Sequence, residues 1–123
     1  MKIITLLLTL VLAFALVVPV SAESPPPLPS SFWGYVTGIQ VGTVIRVYVA
    51  NRALPVAWGE VFMWEGSAVY SIIVPGDQYG TKKIEGGVEG DTITFRVGGK
   101  IVATGIWHSG TNVRKDIYIP TVK

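Results

Sequence analysis

The sequence predicts an all-β domain, an antiparallel sandwich or small barrel of seven or eight strands, and three observations carry that reading. Apolar residues recur at every second position in the clearest segments. Gly, Pro, Asn and Asp interrupt the chain at short intervals. Beyond an apolar leader, no window of about ten residues keeps a helical period without a Gly or Pro.

Residues 1–22 come first: Lys2, an apolar run over 3–18, then Pro19, Val20, Ser21 and Ala22. This is the layout of a secretory signal helix, with Val20 and Ala22 where a signal peptidase needs small residues. The leader predicts export, to the secreted fraction or the cell surface. A run of this length also approaches what can span a bilayer, so the alternative is a retained anchor with the same domain outside. Either way, contact with a membrane is expected only through this segment.

Residues 23–31 read ESPPPLPSS, a proline-rich linker of polyproline type that can enter neither a helix interior nor a strand ladder. It serves as a spacer or docks in a partner's groove, and it is too proline-rich to act as a donated strand.

The domain is expected over residues 32–123, long enough for one two-layer core. A first strand is predicted over 32–37, with Phe32, Gly34 and Val36 inward and Trp33, Tyr35 and Thr37 outward. Over 42–51, Ile45, Val47 and Val49 alternate with Val44, Arg46 and Tyr48. Strands over 61–65, 68–75 and 81–84 are less regular. In DTITFRV (91–97), Ile93, Phe95 and Val97 share one face, opposite Thr92, Thr94 and Arg96. Gly98-Gly99 then links this strand to KIVATGIW (100–107), a hairpin signal, and a last strand is expected over 113–119.

SFWGYVT, GTVIRVYV, YSIIVPGD, GDTITFRVGGKIVAT and WHSGTNVRKDIYI, in that order, resemble the small exported β-sandwich modules of archaeal and bacterial surface proteins, with a transthyretin-like or carboxypeptidase-regulatory-like fold. The resemblance spans residues 31–119. It implies a seven-stranded Greek-key sandwich of the prealbumin-like or Ig-like kind and an accessory, structural or binding role; a fold analogy supplies no ligand. One departure is the aromatic stretch ALPVAWGEVFMWEG, expected to be an ordinary strand whose Val61, Met63 and Trp58 or Trp64 close the core.

Composition narrows the function. There is no Cys, so neither a disulfide framework nor a lipid-bearing N-terminal Cys is available, and His108 is the only His, which removes the common zinc and iron–sulfur ligand sets. Without Lys2 the chain carries nine Lys and Arg against eight Asp and Glu, dispersed along it, so no nucleic-acid partner is expected.

His108 beside Ser109 reads as a turn residue rather than half of a nucleophile–base pair. Glu85, Glu89 and Asp91 sit in a Gly-rich turn. With Asp77 they come nearest to a loop Ca²⁺ site, but their spacing matches no such loop, and the glycines of GGVEGD are expected to supply positive-φ turns. No catalytic residue, metal or cofactor is therefore expected.

The strongest functional signal is aromatic. Trp33, Tyr35, Tyr48 and Tyr118 all lie opposite core positions; either they form an exposed patch that stacks on sugar rings or anchors a protein, or a second layer, such as the proline-rich segment or a neighbouring module, covers them. The sequence thus reads as a non-enzymatic structural or interaction module whose partners are other surface proteins. The alternative is a carbohydrate-binding module using the patch on glycans.

Overall fold

The computed structural model describes residues 27–78 and 85–120, and all regular structure among them is strand. The elements are β1 (Ser30–Thr37), β2 (Val44–Val49), β3 (Ala57–Glu60), β4 (Phe62–Trp64), β5 (Ser67–Val74), β6 (Thr92–Val97), β7 (Lys100–Ile106), β8 (Asn112–Arg114) and β9 (Ile117–Tyr118). The leader, residues 23–26 and the strand expected over 81–84 lie outside the described residues.

The strands form two sheets that enclose one core, as in a β-sandwich. One runs β4-β5-β1, with β8 and β9 following one another along the other edge of β1; the second runs β3-β2-β6-β7. The first sheet sends Phe32, Val36, Tyr70, Ile72 and Val74 inward, and the second sends Ile45, Val47, Val49, Ile93 and Phe95. These are the residues that period-two alternation selects. Phe95 stands at the centre, edge-on to Phe32 at 5.4 Å and to Tyr70 at 6.0 Å between ring centroids.

Two hairpins have the two-residue turn that suits twisted strands. Gly98 and Gly99 (φ 56° and 81°) join β6 to β7, as their pairing in the sequence predicts, and Glu65 and Gly66 (φ 48° and 80°) join β4 to β5.

Three expectations need correction. The sandwich is not purely antiparallel: β8 and β9 run parallel to β1, because the chain leaves β7 in the second sheet and crosses over before entering the first along the free edge of β1. The aromatic stretch ALPVAWGEVFMWEG is not one ordinary strand but two pieces in two sheets: β3 pairs with β2, β4 falls within the strand expected over 61–65 and pairs with β5, and the chain changes layers at Val61. Val61 is only 1% exposed, while Trp58, Met63 and Trp64 are exposed and do not close the core. A corner residue points between the layers, whereas Trp58, Met63 and Trp64 stand on the edge strands β3 and β4, where less of each side chain is covered.

The third correction concerns the glycines of GGVEGD. Only Gly90 has positive φ (88°). Gly86 and Gly87 instead allow close approach: a Cβ on Gly87 would lie 2.4 Å from Cγ of the buried Trp107, and one on Gly86 2.0 Å from the Pro75 carbonyl oxygen. Trp107 closes this end of the core, its Nε1–H donating to the Val74 carbonyl at 3.1 Å.

β1 begins at Ser30, inside the segment assigned to the linker. Just before it, the Leu28 carbonyl accepts from Ser109 Oγ (3.0 Å) and the Pro29 carbonyl from the Gly110 N–H (3.1 Å). The end of the proline-rich stretch is therefore part of the folded domain.

Candidate functional site

The site is built outward from β1. Trp33 is in register with Ser71 of β5, and Tyr35 with Val69, which is paired in turn with Phe62 of β4. Tyr35, Val69 and Phe62 thus form one cross-strand row on the outer face of the first sheet, and Trp64 shares the face of Phe62 because it is two residues on. Val69 points outward by register and yet is only 7% exposed, because the rings around it cover it. Between the rings lies a groove of about 200 Å³, lined by Trp33, Tyr35, Phe62, Trp64, Val69, Tyr70 and Ser71 and almost wholly apolar.

One rim of the groove is charged. Arg114 of β8 is in register with Trp33, and its guanidinium lies 5.4 Å from the Trp33 ring and 5.0 Å from the Tyr35 ring. Asp116 holds it there through two hydrogen bonds, from Nε to Oδ1 (3.2 Å) and from Nη2 to Oδ2 (3.1 Å). Asp116 Oδ1 also accepts the Tyr35 N–H at 3.0 Å. The Arg114 and Tyr35 hydrogen bonds hold the Asp116 carboxyl below its ordinary range, and the hydrogen bond to Asp116, with its charge adding, holds the Arg114 guanidinium above its own.

This arrangement needs a gap in the ladder. β8 and β9 both pair with β1 at a constant offset, Ser31 with Asn112 and Val36 with Ile117, but the segment between them carries a side chain where a backbone acceptor is usual. The displaced Lys115 carbonyl accepts instead from the Tyr70 hydroxyl. Gly34 makes room: a Cβ there would sit 2.4 Å from that carbonyl oxygen. Burial, with the Asp116 charge adding to it, raises the Tyr70 pKa and keeps the phenol a donor.

The four aromatic residues expected to form one patch do not lie together. Trp33 (37% exposed) and Tyr35 line the groove. Tyr118, 70% exposed and in register with Thr37, is on the same face but does not line it. Tyr48 is on β2 in the other sheet, beneath the Arg96 guanidinium at 4.2 Å from its ring centroid. Opposite a core position means outward, but the two sheets have different outsides.

Sequence reasoning missed Phe62, Trp64, Arg114 and Asp116. Each pair is spaced by two, so the strand period would have put Phe62 with Trp64 and Arg114 with Asp116 on a common face. Which strands neighbour β1 was the missing information.

His108 and the loop acids serve the turns. His108 Nδ1 and the Ser109 N–H meet the two oxygens of Glu89 at 2.7 and 2.9 Å, and both contacts lower the Glu89 pKa. Asp77 accepts the Glu85 N–H (3.0 Å) and Asp91 the Val88 N–H (2.9 Å). Among the described residues no three His, Cys, Asp or Glu side chains converge on a metal-sized site.

What the groove offers chemically is flat apolar surface for stacking beside a fixed guanidinium–carboxylate pair. Compared with known proteins, the chain matches no family model, no curated protein and no solved structure.

Proposed function

We propose that this protein is an exported, non-catalytic interaction module of the cell surface or the secreted fraction, with the Greek-key connectivity of transthyretin-like sandwiches and no cofactor. The observation that carries this reading is the groove: Trp33, Tyr35, Phe62 and Trp64 gather on the outer face of one sheet, around Val69. Rigid aromatics that gather in this way are the usual anchors of a protein interface, and an adjoining Arg adds orientation. A photo-crosslinking residue in place of Ser71, at the groove, should trap a defined surface protein on intact cells. The same residue in place of Thr104, on the opposite sheet, should not, and Trp33→Ala should abolish the Ser71 adduct.

A second reading, carbohydrate binding, is favoured by the Arg114–Asp116 pair beside Trp33 and Tyr35. A sugar ring can stack on the aromatic faces while the Arg114 N–H groups not used by Asp116 donate to its hydroxyls. Glycan-array binding that is lost in Trp33→Ala and Tyr35→Ala would select this reading; adducts with protein alone would select the first.

A further inference from the structure

The groove leaves unexplained the outer face of the second sheet, where Arg46 of β2 and Arg96 of β6 stand directly opposite one another in the antiparallel register. Like charges so placed destabilise a strand pair. Among the described residues neither forms an ion pair, not even with Glu60, two residues along β3 from the Trp58 that pairs with Arg46. Arg96 is nonetheless held in place: its Nε donates to Thr94 Oγ1 at 3.2 Å, and its guanidinium lies over the Tyr48 ring. On the other side of Arg46 is Trp58, 68% exposed. Trp58, Arg46 and Arg96 are therefore one row across three adjacent strands, about 10 Å from end to end at the ordinary strand spacing.

We propose that this row binds an anionic saccharide, one carboxylate or sulfate group seated against the two guanidiniums and the sugar ring stacked on Trp58. Charge complementarity sets the sign of the ligand, and a planar guanidinium fork matches the oxygens of either group. The number of cations sets the class. A nucleic acid needs neutralisation along a track of phosphates, whereas this row has two cations and one ring platform, in a chain of formal charge +2. The site lies on the opposite sheet from the groove and does not depend on what the groove binds.

The test is retention of the full exported protein on immobilised polygalacturonate, dextran sulfate and neutral dextran. One or both charged polymers should bind, more weakly as salt rises, and neutral dextran should not. Arg46→Gln with Arg96→Gln should weaken binding at least about tenfold, Trp58→Ala should also weaken it, and Arg52→Gln, an exposed loop arginine, should leave it unchanged. Without ligand, Arg46→Gln should melt at the same or a higher temperature, since it removes a repulsion, which separates lost binding from lost folding. Preference between the polymers identifies the carboxylate or the sulfate. No retention on either charged polymer, undiminished binding by the double variant, or binding to phosphatidylglycerol vesicles but to neither polymer would overturn the proposal.

Discussion

The Tyr70 hydroxyl of β5 donates to the Lys115 carbonyl, which the first sheet leaves unpaired between β8 and β9. The bond ties the interior of the sandwich to the charged rim of the groove, because the next residue, Asp116, orients Arg114 against Trp33 and Tyr35. Tyr70→Phe removes the donor and strands a carbonyl, so it should cost about 1–3 kcal/mol. Gly34→Ala should cost about 1–3 kcal/mol by overpacking against the same carbonyl. Urea unfolding checks both, and a midpoint unchanged in both variants would mean that the carbonyl finds other partners.

Phe95 is fully buried between Phe32 and Tyr70, whereas Thr94 lies on the outer face of β6. Phe95→Ala should therefore cost about 3–5 kcal/mol and Thr94→Ala well under about 1 kcal/mol. Equal shifts in the denaturant midpoint would mean that the register of β6 is reversed.

The depressed pKa of Asp116 has a definite sign. The contribution of its charged form is present above the pKa of an unfolded-state aspartate and is lost as pH falls through the lower folded-state value. Protonation frees Arg114 from its clamp, so NMR shifts of the Trp33 and Tyr35 rings should titrate with a midpoint below the ordinary 3.8. Asp116→Asn should remove that step. A midpoint at or above 3.8 would show that the pair is not formed in solution.

If the groove is the binding face, Trp33→Ala should weaken partner binding by about 2 kcal/mol or more. His108→Ala, which removes only a loop clasp to Glu89, should leave affinity unchanged where folding is preserved. Calorimetry with the crosslinked partner, or with a glycan from the array, reads both. The reverse pattern would move the site to the loops.

Exported protein should begin near Glu23, after the only well-placed small-residue step that follows the apolar run. N-terminal sequencing decides it, and Met1 retained in the membrane fraction would establish the leader as an anchor.

The sequence by itself determined the all-β class, the inward faces of β1, β2 and β6, and the Gly98-Gly99 hairpin, because these depend on a strand period of two and on a local turn conformation. Tertiary structure decided everything that depends on which strand lies beside which. It placed Tyr48 on a different surface from Trp33 and Tyr35, brought Phe62 and Trp64 to the groove through a change of sheet at Val61, and delivered Arg114 and Asp116 to the edge of β1. Gly34 shows the same division: nothing local marks it, since its φ is not positive, and it is required only because Lys115, far along the chain, packs where its side chain would be. Alternation tells a residue which side of its own strand it occupies, while the neighbours on that side are chosen by chain crossings whose energetics involve the whole core.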